Sequence, residues 1–213
     1  MTTALVHIDS GAATMEGMLE LPPAASGVVL FAHGSGSSRL SPRNNYVAHV
    51  LRDAGIGTLL LDLLTPNEDR QYHNRFDISL LTTRLRTAAA WLGAQEATMS
   101  LPLGLFGAST GAAAALQLAA DPAIPVAAVV SRGGRPDLAG ADALRADEAP
   151  TLLIVGGADT PVITLNEQAY AELGCVKRLV IVPGATHLFE EPGTLEEVAR
   201  QAADWFTGQF PRD

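Results

Sequence analysis

The chain has little with which to cross-link itself, cross a membrane or hold a polyanion. Its only cysteine is Cys175, which excludes an internal disulfide or a cysteine-based metal cluster and reads as a small buried apolar residue. No apolar run reaches the ~18 residues needed to span a bilayer. The opening MTTALVHIDSGAAT has neither a basic n-region nor a long apolar run behind it, so no secretory signal is read there. Basic residues are scarce: 14 Lys and Arg stand against 23 Asp and Glu, a net charge of −9. No basic stripe offsets that balance, which opposes nonspecific attraction to nucleic acid phosphates or anionic lipid. Metal-ligand spacing such as H-E-x-x-H is missing, as are fixed-period repeats, low-complexity tracts and Pro/Ser-rich linkers. These absences lead to the expectation of a cytoplasmic protein, monomer or homodimer, with no metal or organic cofactor and neither nucleic acid nor membrane as partner.

What the chain does have is alternation. Of its 213 residues, 47% are apolar, enough for one domain over residues 1–213 whose core hides roughly 70% of the surface the unfolded chain exposes. Short β-branched or Leu-rich runs alternate with longer Ala-rich segments of helical spacing, which predicts an α/β fold with a mostly parallel sheet of about eight strands and helices on both faces. Residues 3–8 and 14–21 read as an antiparallel edge pair. Strands follow at 27–32, 57–62, 101–106, 126–131, 151–156 and 177–182. Helices are expected at 42–54 (Ser41 as N-cap, Pro42 at the first position), 76–93, 110–120, about 161–173 and 194–208. Trp91 and Trp205 fall at helical core spacing. In open α/β sheets ligands bind beyond the carboxyl ends of the strands, so the loops there carry the functional argument.

The strongest signal is Gly107-Ala-Ser109-Thr-Gly111, a G-x-S-x-G run between the strand LPLGLF and the helix AAAALQLAA. A serine on such a sharp turn needs glycines around it where a Cβ would clash, and its hydroxyl is then held above the sheet. The Thr110 amide opens the helix beside it and suits an oxyanion donor, aided by the helix dipole. A serine hydroxyl is a poor nucleophile near neutral pH without an adjacent base. Of the five histidines, His7 lies in the first strand, His49 inside a helix and His73 in the polar loop TPNEDRQYHNRF. His33 precedes the serine. His187, in Pro183-Gly-Ala-Thr-His187, follows the last strand and satisfies the order Ser…Asp/Glu…His. The acid expected to orient it is Asp159, in Val155-Gly-Gly-Ala-Asp159-Thr-Pro, with Asp137 as runner-up; Asp159 as a mere helix cap is the competing explanation.

His33-Gly34-Ser35-Gly36-Ser37-Ser38 follows the buried strand VVLFA. A small-residue loop there can turn a second backbone N–H toward an oxyanion; Ser35 is the expected donor and Gly36 the alternative, with His33 bracing the loop. The loop completes neither phosphate-binding glycine pattern. His33, Gly34, Gly36, Arg132 and Arg135 are the candidate substrate contacts. Arg132 and Arg135 could each grip a substrate carboxylate or pair with local acids such as Asp137 and Asp142, and Asp62 carries a similar ambiguity. The segment 132–150 is too short for a separate lid, which predicts an open cleft and a small substrate.

Taken with their spacing, FGASTGAAAAL, VGGADTPV and VPGATHLFEEPG resemble the α/β-hydrolase superfamily, and most nearly its small dienelactone-hydrolase-like branch, over nearly the whole chain. The resemblance implies an α/β-hydrolase fold and acyl transfer by Ser109, His187 and Asp159 through an acyl-enzyme. Dienelactone hydrolases proper carry a cysteine nucleophile, whereas position 109 is serine, which favours esterase-type chemistry on a small ester or lactone. The same three residues also serve a thioesterase, an amidase or an acyltransferase, and a non-catalytic binding module on this fold is the rival from outside enzymes.

Overall fold

A computed structural model describes residues 1–11 and 13–210 of the chain. Eight strands form one sheet: β1 (Thr2–Asp9), β2 (Thr14–Leu21), β3 (Val28–Ala32), β4 (Gly57–Leu61), β5 (Leu103–Ala108), β6 (Ala128–Arg132), β7 (Thr151–Gly156) and β8 (Lys177–Val182). Their spatial order is β1-β2-β4-β3-β5-β6-β7-β8. β1 pairs antiparallel with β2, and β2 antiparallel with β4. From β4 onward every pair is parallel. β3 to β7 are buried along almost their whole length and are mostly apolar, because helices cover both of their faces.

The helices are α1 (Pro42–Asp53), α2 (Pro66–Asp69), α3 (Ile78–Ala94), α4 (Thr110–Ala119), α5 (Ala141–Ala146), α6 (Thr160–Glu172) and α7 (Thr194–Gln209). Alternate strand residues separate two cores. Leu30, Leu105, Val129 and Leu153 pack toward Leu85 of α3, Leu116 of α4, Leu144 of α5 and Ala169 of α6. Phe31, Phe106, Val130 and Ile154 face Val47 and Leu51 of α1 and Val198 and Phe206 of α7. This period-two division is what a pleated strand imposes. Trp91 and Trp205 are half-buried against these cores, and Trp205 Nε1 donates to Pro150 O at 3.3 Å.

The expected architecture is the observed one, with differences at element ends. β5 and β6 run further, to Ala108 and Arg132, because parallel ladder bonds carry the strands to the turn they feed. The segment expected as a polar loop contains α2 and a 3-10 turn over Tyr72–Phe76. There Thr65 and Glu68 cap each other's backbone amides around Pro66 at the first position, a local device that hydrophobic periodicity does not register. Ser41 caps α1 by accepting from the Asn44 amide at 3.3 Å. Between β6 and β7 lie only a 3-10 turn (Pro136–Ala139) and α5, so no separate lid covers the carboxyl edge. Cys175 is half-buried beside the core. Among the described residues no helix is long and apolar enough to cross a membrane.

Candidate active site

Ser109 sits where β5 turns into α4, with φ 51° and ψ −120°. That conformation is uncommon for a residue with a Cβ. Its neighbours make it possible. A Cβ on Gly107 would lie 2.4 Å from Ala112 Cα, and one on Gly111 would lie 2.2 Å from Ala32 O. Both glycines are therefore required by close approach of α4 to β5 and to the end of β3. The Ser109 amide donates to Arg132 O at 3.3 Å, and Ser109 O accepts from the Arg135 amide at 3.1 Å. The turn is thus tied to the end of β6 and to the loop that follows it.

His187 lies in the loop after β8. Thr186 anchors that loop by donating its amide and hydroxyl to the Glu191 carboxylate at 3.0 and 2.7 Å, bonds that hold Glu191 below its usual carboxylate range. Phe189 adopts φ 55° and is buried. His187 Nδ1 and Asp159 Oδ2 are 2.6 Å apart. Asp159 sits at the N-terminus of α6 but makes no capping hydrogen bond with it; its carboxylate goes to His187 instead. With Nδ1 donating to Asp159, Nε2 is left as the free acceptor of the ring. Ser109 and His187 line one cleft of about 180 Å³, shared with Gly34, Ser35, Ser37, Ser41, Arg43, Ala108, Arg132 and Leu188. No hydrogen bond joins the serine hydroxyl to the imidazole, and such bonds are often long before substrate arrives.

The loop after β3 crosses directly above the serine: a Cβ on Gly34 would meet Ser109 Cβ at 3.0 Å. The Ser35 amide donates to Thr110 Oγ1 at 3.1 Å. The donor expected to face an oxyanion is therefore engaged by the side chain of the residue expected to supply the second one. His33 is buried; Leu63 N donates to its Nε2 at 3.1 Å, and its Nδ1 lies 3.0 Å from Gly34 O. This pattern makes Nδ1 the protonated nitrogen. Burial lowers the His33 pKa below the ordinary histidine value, against opposing contributions from Gly34, Asp62 and Asp69.

Three expected substrate contacts do not reach the cleft. His33 has both ring nitrogens engaged by backbone and braces the loop. Gly36, at φ 69°, turns toward Arg75. Arg135 forms a bidentate pair with Asp137, at 2.9 and 2.8 Å; that pair also occupies the runner-up acid. Asp62 is held by the side chain and amide of Arg39. Gly34 and Arg132 do line the cleft, as does Arg43, which sequence reasoning passed over; Asn44 stands behind Arg132 and accepts from it. Arg43 and Asn44 lie in the first turn of α1, and nothing in their local pattern distinguishes them from solvated helix residues.

No family model matches the chain. It is 59% identical over 201 residues, 94% of its length, to two Mycobacterium tuberculosis proteins whose names suggest a phosphoribosyl transferase. The chain spans about half the length of these curated relatives, 45%. Among solved structures, the crystal structure of a dienelactone hydrolase from Anabaena variabilis matches with a TM-score of 0.95 and 54% identity, covering 99% of both chains. Est1E from Butyrivibrio proteoclasticus matches with a TM-score of 0.82 at 15% identity, over 96% of this chain and 98% of that one. A dienelactone hydrolase-like promiscuous phosphotriesterase from metagenomic libraries matches at 0.76 and 20%, over 99% of both. The 54% identity to the Anabaena variabilis dienelactone hydrolase over 99% of both chains makes this chain a member of the dienelactone-hydrolase-like branch of the α/β-hydrolases.

Proposed function

We propose that the chain is a serine hydrolase that opens a small ester or lactone through an acyl-enzyme. The observation that carries this reading is the Asp159–His187 pair at 2.6 Å, facing the cleft into which the strained Ser109 turn projects. Asp159 holds the imidazole in the tautomer whose Nε2 accepts a proton, and it stabilises the imidazolium that follows. Ser109 Oγ attacks the carbonyl carbon while its proton passes to His187 Nε2. The carbonyl oxygen becomes an oxyanion, stabilised by backbone N–H groups of Thr110 and Ser35. His187 returns the proton to the leaving alkoxide as the C–O bond breaks. Water, deprotonated by His187, then releases the acyl group and restores the serine. For Ser35 to take part, its N–H exchanges Thr110 Oγ1 for the oxyanion.

The shared 201 residues cover 45% of each mycobacterial relative, and the transferase in their names is not carried over to this chain. A carboxylate–imidazole pair beside an elbow serine serves acyl transfer and has no role in moving a phosphoribosyl group. The test is a fluorophosphonate probe with the adduct located by mass spectrometry and heat-denatured protein as control. A stoichiometric adduct on Ser109 in folded protein alone, and its loss in His187→Ala, is the expected result. Folded protein that stays unlabelled while the probe can enter would return the chain to the binding-module reading. Competing alcohols in the assay separate an acyltransferase from a hydrolase by the product formed.

A further inference from the structure

The three residues read as the triad belong to two separately fastened units. Asp159 and His187 share one. Gly157 N donates to Val182 O at 2.8 Å and Ala158 N to Ala185 O at 2.9 Å, which binds the loop after β7 to the loop after β8. The 2.6 Å contact between the two side chains closes that unit. Ser109 belongs to the other, held by Arg132 O and by the Arg135 amide. The segment Arg132-Gly-Gly-Arg135 lies between them and touches both. On the serine side, a Cβ on Gly134 would lie 2.0 Å from Ser131 Oγ and 2.7 Å from Ala112 Cβ, in the first turn of α4. On the histidine side, a Cβ on Gly133 would lie 3.2 Å from His187 O and 3.6 Å from His187 Cε1.

One side chain fastens this segment to the helix that starts behind Asp159. Asn166 is fully buried in α6, on a face whose other buried members are Val162 and Ala169. Its Nδ2 donates to Gly134 O at 3.0 Å, 32 residues away in sequence, and to Val162 O of its own helix at 2.8 Å. A buried amide on an otherwise apolar helix face costs desolvation, which only the bonds it makes offset. Gly134 immediately precedes Arg135, whose amide donates to Ser109 O. Contact therefore runs from Asp159 along α6 to Asn166, and through Gly134 and Arg135 to Ser109. We propose that Asn166 is a positioning residue: through Gly134 it sets the separation of Ser109 Oγ from His187 Nε2 without touching either. This rests on the hydrolase reading above and adds a residue to it. The β6–β7 ladder also joins the two units, but it ends at Arg132 and Ile154 with one further bond from Gly133 N to Ile154 O at 2.7 Å. Asn166 extends the tie beyond the sheet, to the level of the loops.

The test measures kcat and KM for 4-nitrophenyl butyrate across pH, the rate of fluorophosphonate labelling at Ser109, and thermal unfolding. In Asn166→Leu, kcat and the labelling rate are expected to fall together by roughly 10- to 100-fold, the cost of a misplacement of about 1 Å. KM is expected to stay within about twofold, since ground-state binding is not what is disturbed. The acidic limb of kcat/KM against pH is expected to stay at its wild-type position, because Asp159 and His187 remain paired. Asn166→Ser can still donate to Val162 O but is too short to reach Gly134 O; it covers the case in which Asn166→Leu fails to fold, and the same losses are expected. Ala169→Gly weakens the same helix elsewhere, and is expected to lower the unfolding temperature while kcat stays within about threefold. Wild-type kcat in folded Asn166 variants overturns the proposal and leaves the hydrolase standing. An equal fall of kcat in Ala169→Gly does the same, because any loosening of α6 would then suffice. So does a displaced acidic limb, which would put the effect on the Asp159–His187 pair, and so does loss of folding in both Asn166 variants, which would make the residue a structural one. A wild type with neither labelling nor ester turnover removes the hydrolase reading, and the proposal with it.

Discussion

The Asp159 carboxylate accepts from His187 Nδ1 at 2.6 Å across a separation of 28 residues, while the carboxylate of Asp137 is held bidentately by Arg135. Two acids in comparable positions after adjacent strands thus have different work. Asp159→Asn is expected to lower kcat by three to four orders of magnitude, because an amide stabilises neither the required tautomer nor the imidazolium (~10⁴ for the equivalent change in a serine protease). Asp137→Asn is expected to leave kcat within a few-fold. Steady-state kinetics on one ester, for both variants, decides between the two acids.

Thr110 Oγ1 is the acceptor for the Ser35 amide at 3.1 Å, and Thr110 is buried. Thr110→Val removes that acceptor and unties the loop that carries the expected oxyanion donor. A loss of about tenfold in kcat is expected, below the 10²–10³ typical of deleting an oxyanion donor outright. Thr110→Ser keeps the hydroxyl and is expected to stay within about threefold. Equal kcat in the valine and serine variants would show that the tether has no part in turnover.

The packing of α4 against β3 sets a steric limit at Gly111. With a Cβ 2.2 Å from Ala32 O and 2.5 Å from His33 O, Gly111→Ala forces backbone apart, and a loss of several kcal/mol is expected, in the range of severe overpacking. Gly93, inside α3, has nothing within 4 Å of its would-be Cβ. Gly93→Ala is expected to gain about 0.5–1 kcal/mol from helix propensity. Thermal unfolding of the two variants should move in opposite directions.

Asp147 is a buried carboxyl that accepts from the Ala149 amide at 2.9 Å and from the Thr151 hydroxyl at 3.2 Å. Burial outweighs these bonds and raises its pKa to about 6 from 3.8. Between those values the unfolded chain has released the proton that the folded chain still holds, so the folded state binds more protons and stability falls as pH rises. This contribution is complete below about pH 4 and gone above about pH 6, and is worth on the order of 2–3 kcal/mol. Asp147→Asn is expected to flatten that part of the stability profile. Urea midpoints at pH 4, 5, 6 and 7 for both proteins would show it, and parallel profiles would refute it.

Much of this architecture was legible in the sequence because it is local or periodic. The short apolar-rich runs at 27–32, 57–62 and 151–156 read as strands hidden on both faces, and the longer Ala-rich stretches between such runs as their covering helices. The glycines around Ser109 announce a tight strand–helix turn because nothing larger fits there. That Ser109, Asp159 and His187, which follow β5, β7 and β8, meet at one edge follows from the parallel sheet, which delivers the carboxyl ends of its parallel strands there. The short elements at 66–76 and 136–146 were not legible, since they are too short to carry a hydrophobic period; the first of them, Pro66–Asp69, is set by a side-chain capping box.

The chain of residues by itself determined which strands exist, which loops meet at one edge, and which serine, histidine and acids are brought there. Only the tertiary structure decided how the charged groups among them are shared out. Arg132 and Arg135 look equivalent in sequence, three residues apart after one strand. In the fold Arg135 turns outward to Asp137, while Arg132 points inward to Asn44 and Phe189 without a carboxylate. His33 is taken from the cleft by Leu63 and Gly34, and the Ser35 amide is taken by Thr110. Each of these outcomes depends on which partner lies within about 3 Å, and short-range polar contacts between distant segments have no period or spacing that a linear sequence can display.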